Sequence, residues 1–165
     1  MSLNALTTTL DRLHKLHMSL LDLSKRKTTI IKASEMDQLD DLLKDEQRHL
    51  AAIQTVENDR QIHSKQYTEA NGRSFDEPPT LLQCMETAPK EEKETLSDWH
   101  GKLTAVIAEL KEQNELNQKL VYQSLQFVNM SLSALQPKEE QTNYKRPNDD
   151  NKVPAPSRSL FDSKA

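Results

Sequence analysis

Leucine recurs along the first part of the chain at intervals of three and four. Leu3, Leu6, Leu10, Leu13, Leu16, Leu20 and Leu23 follow one another in this way, and Ile30 comes after a single gap of seven. Such spacing lines up apolar residues on one helix face, whereas a strand would need a period of two. It predicts a first helix over about residues 3–32. Ala33-Ser34 interrupts the pattern, and Ser34-Glu35-Met36-Asp37 reads as a capping box with Asp in place of Glu. A second helix is expected over about 35–68, with Met36, Leu39, Leu43, Leu50, Ile53 and Val56 on its inner face. Glu46 and Gln47 thin this seam at its middle. A short link between amphipathic helices of similar length favours an antiparallel hairpin; one helix bent at Ser34 is the competing arrangement.

Proline does not occur before Pro78, nor between Pro89 and Pro137, so both stretches permit long helices. Asn71-Gly72 ends the second helix, and Pro78-Pro79 makes an irregular link. A short helix is expected over 80–86, with Leu81, Leu82 and Met85 facing inward. Thr87-Ala88-Pro89 then opens the longest helix, over about 90–135. Proline is preorganised at a helix start, and Glu91 and Glu92 complement its positive end. Gln136-Pro137 stops it, and Gly101 is a weak point inside it. Residues 137–165 hold prolines among Asn, Asp, Lys and Ser, with too few apolar groups to fold alone, so a disordered tail is expected. Leu160-Phe161 is an apolar island there, either a chance cluster or a short recognition motif. The predicted fold class is all-α: an elongated helical hairpin or coiled coil plus one long C-terminal helix, spanning 1–136, then the tail.

The far end of the longest helix changes character. Glu112 to Gln118 is polar, with Asn114 and Asn117 near seam positions, where polar side chains weaken packing but fix register. Val121, Leu125, Val128, Leu132 and Leu135 then make one clean apolar face. Leu116, Leu120 and Phe127 lie on a neighbouring face, with Met130 flanking and Ser124 and Ser131 in the gaps. One stripe can pack against the hairpin, but a second needs its own cover. A three-helix bundle, a homodimer or a partner's amphipathic helix would each supply it.

Composition narrows the class. With 35% apolar and 4% aromatic residues, the chain lacks the bulk to form a compact sphere of its length and suits thin helices instead. A net charge of −4 without a basic cluster argues against nucleic acid or an anionic membrane as partner. No apolar run approaches the roughly 18 residues of a membrane span, and the N-terminus lacks the basic start and apolar centre of a signal peptide. Cys84 stands alone, which excludes an internal disulfide, fits a reducing cytoplasm and suggests a small core hydrophobe.

Chemistry is hard to find. His14 and His17 are one turn apart, with only Asp11 and Asp22 near them, short of a metal ligand set. The acidic run Asp37, Asp40, Asp41, Asp45 and Glu46 lacks the turn glycine of a calcium loop. The chain has two glycines in all and no phosphate loop, Cys-x-x-Cys pair or nucleophile elbow. No metal, cofactor or catalytic residue is expected. Two classes remain: a binding module, and a structural coiled coil that assembles into a homo-oligomeric spacer.

The run Asn114-Glu115-Leu116-Asn117-Gln118-Lys119-Leu120, followed by Gln123-Ser124-Leu125-Gln126-Phe127-Val128-Asn129, resembles the last helix of the FlgN family of flagellar type III export chaperones. The stretch from Ser34 to Leu50 is similar to the start of that family's second helix. The ending Ser159-Leu160-Phe161-Asp162-Ser163-Lys164-Ala165 resembles the C-terminus of Bacillus-type members. The resemblance spans nearly the whole chain. It implies a protein without enzymatic activity that binds the C-terminal helical regions of the hook–filament junction proteins FlgK and FlgL. It further implies that those clients are kept unpolymerised in the cytoplasm and brought to the flagellar export gate. By position, the implied client face is Leu120, Val121, Ser124, Leu125, Phe127, Val128, Ser131, Leu132 and Leu135. The family's gate-docking tyrosine, soon after the last helix, is matched by Tyr144, with Lys145 after it where many members have glycine.

Overall fold

A computed structural model of the chain describes residues 2–136, and the tail expected over 137–165 lies outside them. The described residues form four helices: α1 (Ser2–Ala33), α2 (Met36–Ala70), α3 (Leu81–Thr87) and α4 (Lys90–Leu135). The all-α class and the long last helix are as the sequence predicts.

α1 and α2 form the antiparallel hairpin. Thr9 meets His63, Ser19 meets His49 and Lys27 meets Glu46, so numbers rise on one helix as they fall on the other. The single gap in the α1 seam is the Lys27 position: its Nζ lies 3.1 Å from the Glu46 carboxylate, and both side chains are largely covered. The turn corrects one expectation. Ser34 does not cap α2; the N-cap is Glu35, without a side-chain cap bond. Ser34 instead takes a left-handed conformation, φ +57°, and closes α1. The Glu35 N–H donates to the Ile30 carbonyl and the Ser34 N–H to that of Ile31, the pairing of a helix end that reverses hand. Gly72, φ +80°, ends α2 in the same manner, as its sequence suggests.

α4 runs parallel to α1. Leu6 and Leu10 pack with Leu96, Leu20 and Leu21 with Val106 and Leu110, and Thr28 bonds Asn117. α1 therefore lies between α2 and α4, whose backbones never come close to each other. α3 touches α2 and α4 with its backbone but not α1. This is the plan of a four-helix bundle seen from its end: α1 holds one corner, α2 and α4 the two beside it, and α3 the corner opposite, for two turns only.

α3 is well fixed there. Thr80 accepts from the Gln83 N–H while the Gln83 side chain accepts from the Thr80 N–H, satisfying two helix-end donors at once. Arg60 grips Glu57 through two nitrogens, at 2.7 and 2.8 Å, and donates to the Pro79 carbonyl at 3.2 Å. Cys84 is fully buried with Leu6, Leu10, Tyr67 and Leu96, a small core hydrophobe as expected. Leu81 and Met85 pack against this cluster, but Leu82 faces outward at 53% exposure, contrary to the inward placement expected of it.

The inner face of α2 also differs from the expectation. Val56 is buried and Leu39 and Ile53 partly so, but the other deeply buried positions are Leu42, Ser64, Tyr67 and Thr68. Met36, Leu43 and Leu50 are exposed. Their spacing of seven puts them on one stripe of α2, and Leu50 lines a cavity on the side of α4.

Candidate partner-binding face on the last helix

The root of the candidate face is a polar knot between α1 and α4. Asn117 is buried, and its Nδ2 donates to the Ser24 carbonyl at 2.9 Å and to the Ser24 hydroxyl at 3.2 Å. The Thr28 hydroxyl donates to the Asn117 side-chain oxygen and accepts from Gln113. Ser24 in turn donates to the Asn114 side chain at 2.9 Å. No buried side-chain donor of this group lacks a partner, which offsets the cost of burying it. Asn114 and Asn117 were expected at seam positions; Ser24 and Thr28 were not picked out, because small polar residues in an apolar seam carry no periodic signal.

About a turn and a half beyond Asn117 the helix leaves the body. Thr28 and Asn117 are 89 residues apart, and Ser24 and Asn114 are 90 apart. At that offset Ala33, the last residue of α1, is level with about Tyr122–Gln123. α4 has 46 residues against 32 in α1, so among the described residues its end has nothing beside it to pack on. From Gln123 to Leu135 it projects about 18 Å at 1.5 Å per residue. The expectation that one of the two stripes packs against the hairpin is not met. Exposure runs from 48% at Val121 through 50% at Val128 to 80% at Leu135, and Phe127 and Met130 are more than two-thirds exposed.

The candidate residues are thus brought together as one surface. Val121, Leu125, Val128, Leu132 and Leu135 form its main line, Phe127 lies beside it, and Leu120 is half-buried at its root. The Ser124 hydroxyl donates to the Leu120 carbonyl and the Ser131 hydroxyl to that of Phe127, both at 2.9 Å. These serines have met their need for an acceptor within their own helix, and present small, undemanding gaps between large apolar side chains. No acidic or basic side chain occurs from Val121 to Gln136. A surface of this kind holds another apolar surface; it has no group to polarise a bond or move a proton. Tyr144 and Leu160-Phe161 lie outside the described residues. No group of three His, Cys, Asp or Glu able to hold a metal occurs among the described residues.

Set against known proteins, the sequence matches the FlgN protein family over residues 1–151. The chain belongs to the FlgN family. Membership implies a flagellar export chaperone at the level of the family, a class that is not enzymatic. An uncharacterised protein of Bacillus subtilis (strain 168), YvyG, is 34% identical over 165 residues, covering all of both chains. No solved structure matches this FlgN chain. None of its described helices is long and apolar enough to cross a membrane.

Proposed function

We propose that this protein is the export chaperone of the hook–filament junction proteins FlgK and FlgL, and that the projecting end of α4 receives their C-terminal helical regions. The observation that carries this is the uncharged apolar face from Leu120 to Leu135, rooted on the body at Leu120 and Val121 and projecting from it beyond, with its serines already satisfied. An amphipathic client helix laid along it would lose its own exposed stripe, at roughly 25 cal/mol per Å² of apolar area before association costs are subtracted. A client so covered stays unassembled in the cytoplasm until delivered. Tyr144 is the assigned contact with the export gate, by its position soon after the last helix.

Co-purification with FlgK and FlgL tests the client face. The double variant Val121→Asp with Val128→Asp is expected to lose both clients; wild-type binding by that variant would show the face to be misassigned. Tyr144→Ala is expected to keep client binding and to lose export. A second function has one observation in its favour. Two copies of this face running antiparallel about Val128 would pair Val121 with Leu135 and bring Leu125 within one residue of Leu132, as a self-assembling spacer requires. Sedimentation separates the two: a spacer gives a stable homo-oligomer that added client does not dissolve.

A further inference from the structure

The fourth corner of the bundle is filled by α3 for two turns and then left open. Past Leu82 a groove continues between α2 and α4 with α1 as its floor. Its first part, about 480 Å³, is lined by Leu10 and Leu13 below, Ile53 on α2, and Leu103 and Ile107 on α4, with Leu82 at its closed end. A second part, about 290 Å³, follows toward the tip and is lined by Leu20, Leu50 and Val121 around the Lys27–Glu46 pair. Leu50 and Ile107, one on each wall, are both 48% exposed.

The α4 wall of this groove is the same helix stripe as the projecting client face. Ile107, Asn114, Val121, Val128 and Leu135 recur every seven residues without a break. On the opposite wall stands Leu50, and Met36 and Leu43 continue its repeat of seven along α2. Two exposed stripes with a helical repeat, set across a floor one helix wide, have the form of a site for a fourth helix. The chain itself shows the kind of occupant that fits, since α3 fills the same corner with Leu81, Cys84 and Met85 turned inward.

We propose that this open corner is a docking site for one long amphipathic helix of the client, which completes a four-helix bundle and then continues along the projecting end of α4. The proposal rests on the chaperone function above. The distance from Ile107 to Leu135 corresponds to a helix of about 28 residues, or about 42 Å. Its chemistry follows from the walls: two apolar blocks separated by about two polar turns, opposite Lys111, Asn114 and Gln118. A second copy of α4 is a poor occupant. In the antiparallel register that sets Val121 against Tyr122, it would place Leu125 against Gln118 and Leu132 against Lys111.

The test compares Leu50→Asp and Ile107→Asp with Val128→Asp, all in the full chain, with the C-terminal helical region of the junction protein as probe. Both groove variants are expected to weaken binding by tenfold or more, with helicity and melting temperature unchanged. Wild-type binding by the groove variants alongside loss in Val128→Asp would overturn the groove site and leave the client face standing. Wild-type binding by all three would overturn both. As a check independent of folding, maleimide labelling of Ile107→Cys is expected to slow at least tenfold when client is added, Cys84 being buried and out of reach. If deleting residues 137–165 speeds that labelling in the free protein, the tail is the occupant and the proposal fails. It also fails if Ile107→Asp dissolves a homo-oligomer without changing client binding.

Discussion

Asn117 of α4 donates at 2.9 Å to the backbone carbonyl of Ser24 on α1, 93 residues away in the chain. The bond belongs to the last group of side-chain hydrogen bonds joining the two helices among the described residues, and it sets their register and so how far α4 projects. A slip of one helical turn that brought Leu120 or Val121 into this place would take the amide partner away from Ser24 and Thr28. Asn117→Ala is expected to lower stability by about 1–3 kcal/mol, the cost of stranding buried polar partners. Urea denaturation followed by circular dichroism checks this.

Ser34 holds a left-handed backbone that glycine adopts freely. Ser34→Gly is therefore expected to stabilise the hairpin by about 1 kcal/mol, and Ser34→Val to destabilise it by at least as much. Thermal melts of the two variants should move in opposite directions from wild type.

Gly101 lies in the interior of α4, and a methyl group added there would meet no atom within 4 Å. Gly101→Ala is expected to gain about 1 kcal/mol from helix propensity alone, read as a higher urea midpoint.

Two buried groups set the alkaline limit. Burial pushes the Cys84 thiol above its usual 9.0. Burial, and then the 2.5 Å hydrogen bond to Glu92, push the Tyr67 hydroxyl above its usual 10.0. In both cases the unfolded chain loses its proton first. The stabilisation is therefore complete below about pH 9 and falls as the pH rises through the folded-state values. The melting temperature is expected to be level from pH 7 to 8 and to drop steadily above 9. Tyr67→Phe should make that drop shallower.

The projecting face carries no burden of stability. Val128→Asp is expected to change the melting temperature by no more than a surface substitution does, under about 0.5 kcal/mol. Leu96→Ala, emptying a fully buried site in the base cluster, is expected to cost about 2–5 kcal/mol. Chemical denaturation of both variants draws the line between body and binding end.

The helix boundaries were legible because proline, glycine and the leucine seam of α1 all act locally. The Ser34 turn was misread because Ser-x-x-Asp fits both an N-cap and an ordinary sequence following a left-handed residue. On α2 the true inner line passes through Leu42, Val56, Ser64 and Tyr67, half of them polar or amphipathic, while the more obvious leucines at 43 and 50 face out. Periodicity finds stripes but does not say which one α1 will cover. The apolar end of α4 was legible as a doubled stripe. That both halves are bare follows from the parallel offset of α1 and α4, a tertiary fact with no local signal.

The stretch from Val121 to Gln136 has no formal charge, and this shapes how quickly anything can find it. Without a field to steer encounter, capture should proceed at about 10⁵–10⁶ M⁻¹s⁻¹ and change little between dilute buffer and molar salt. Affinity on such a surface resides in the lifetime of the complex. Release at the destination then calls for a competitor that takes over the same apolar contacts, because raising the ionic strength would not loosen them.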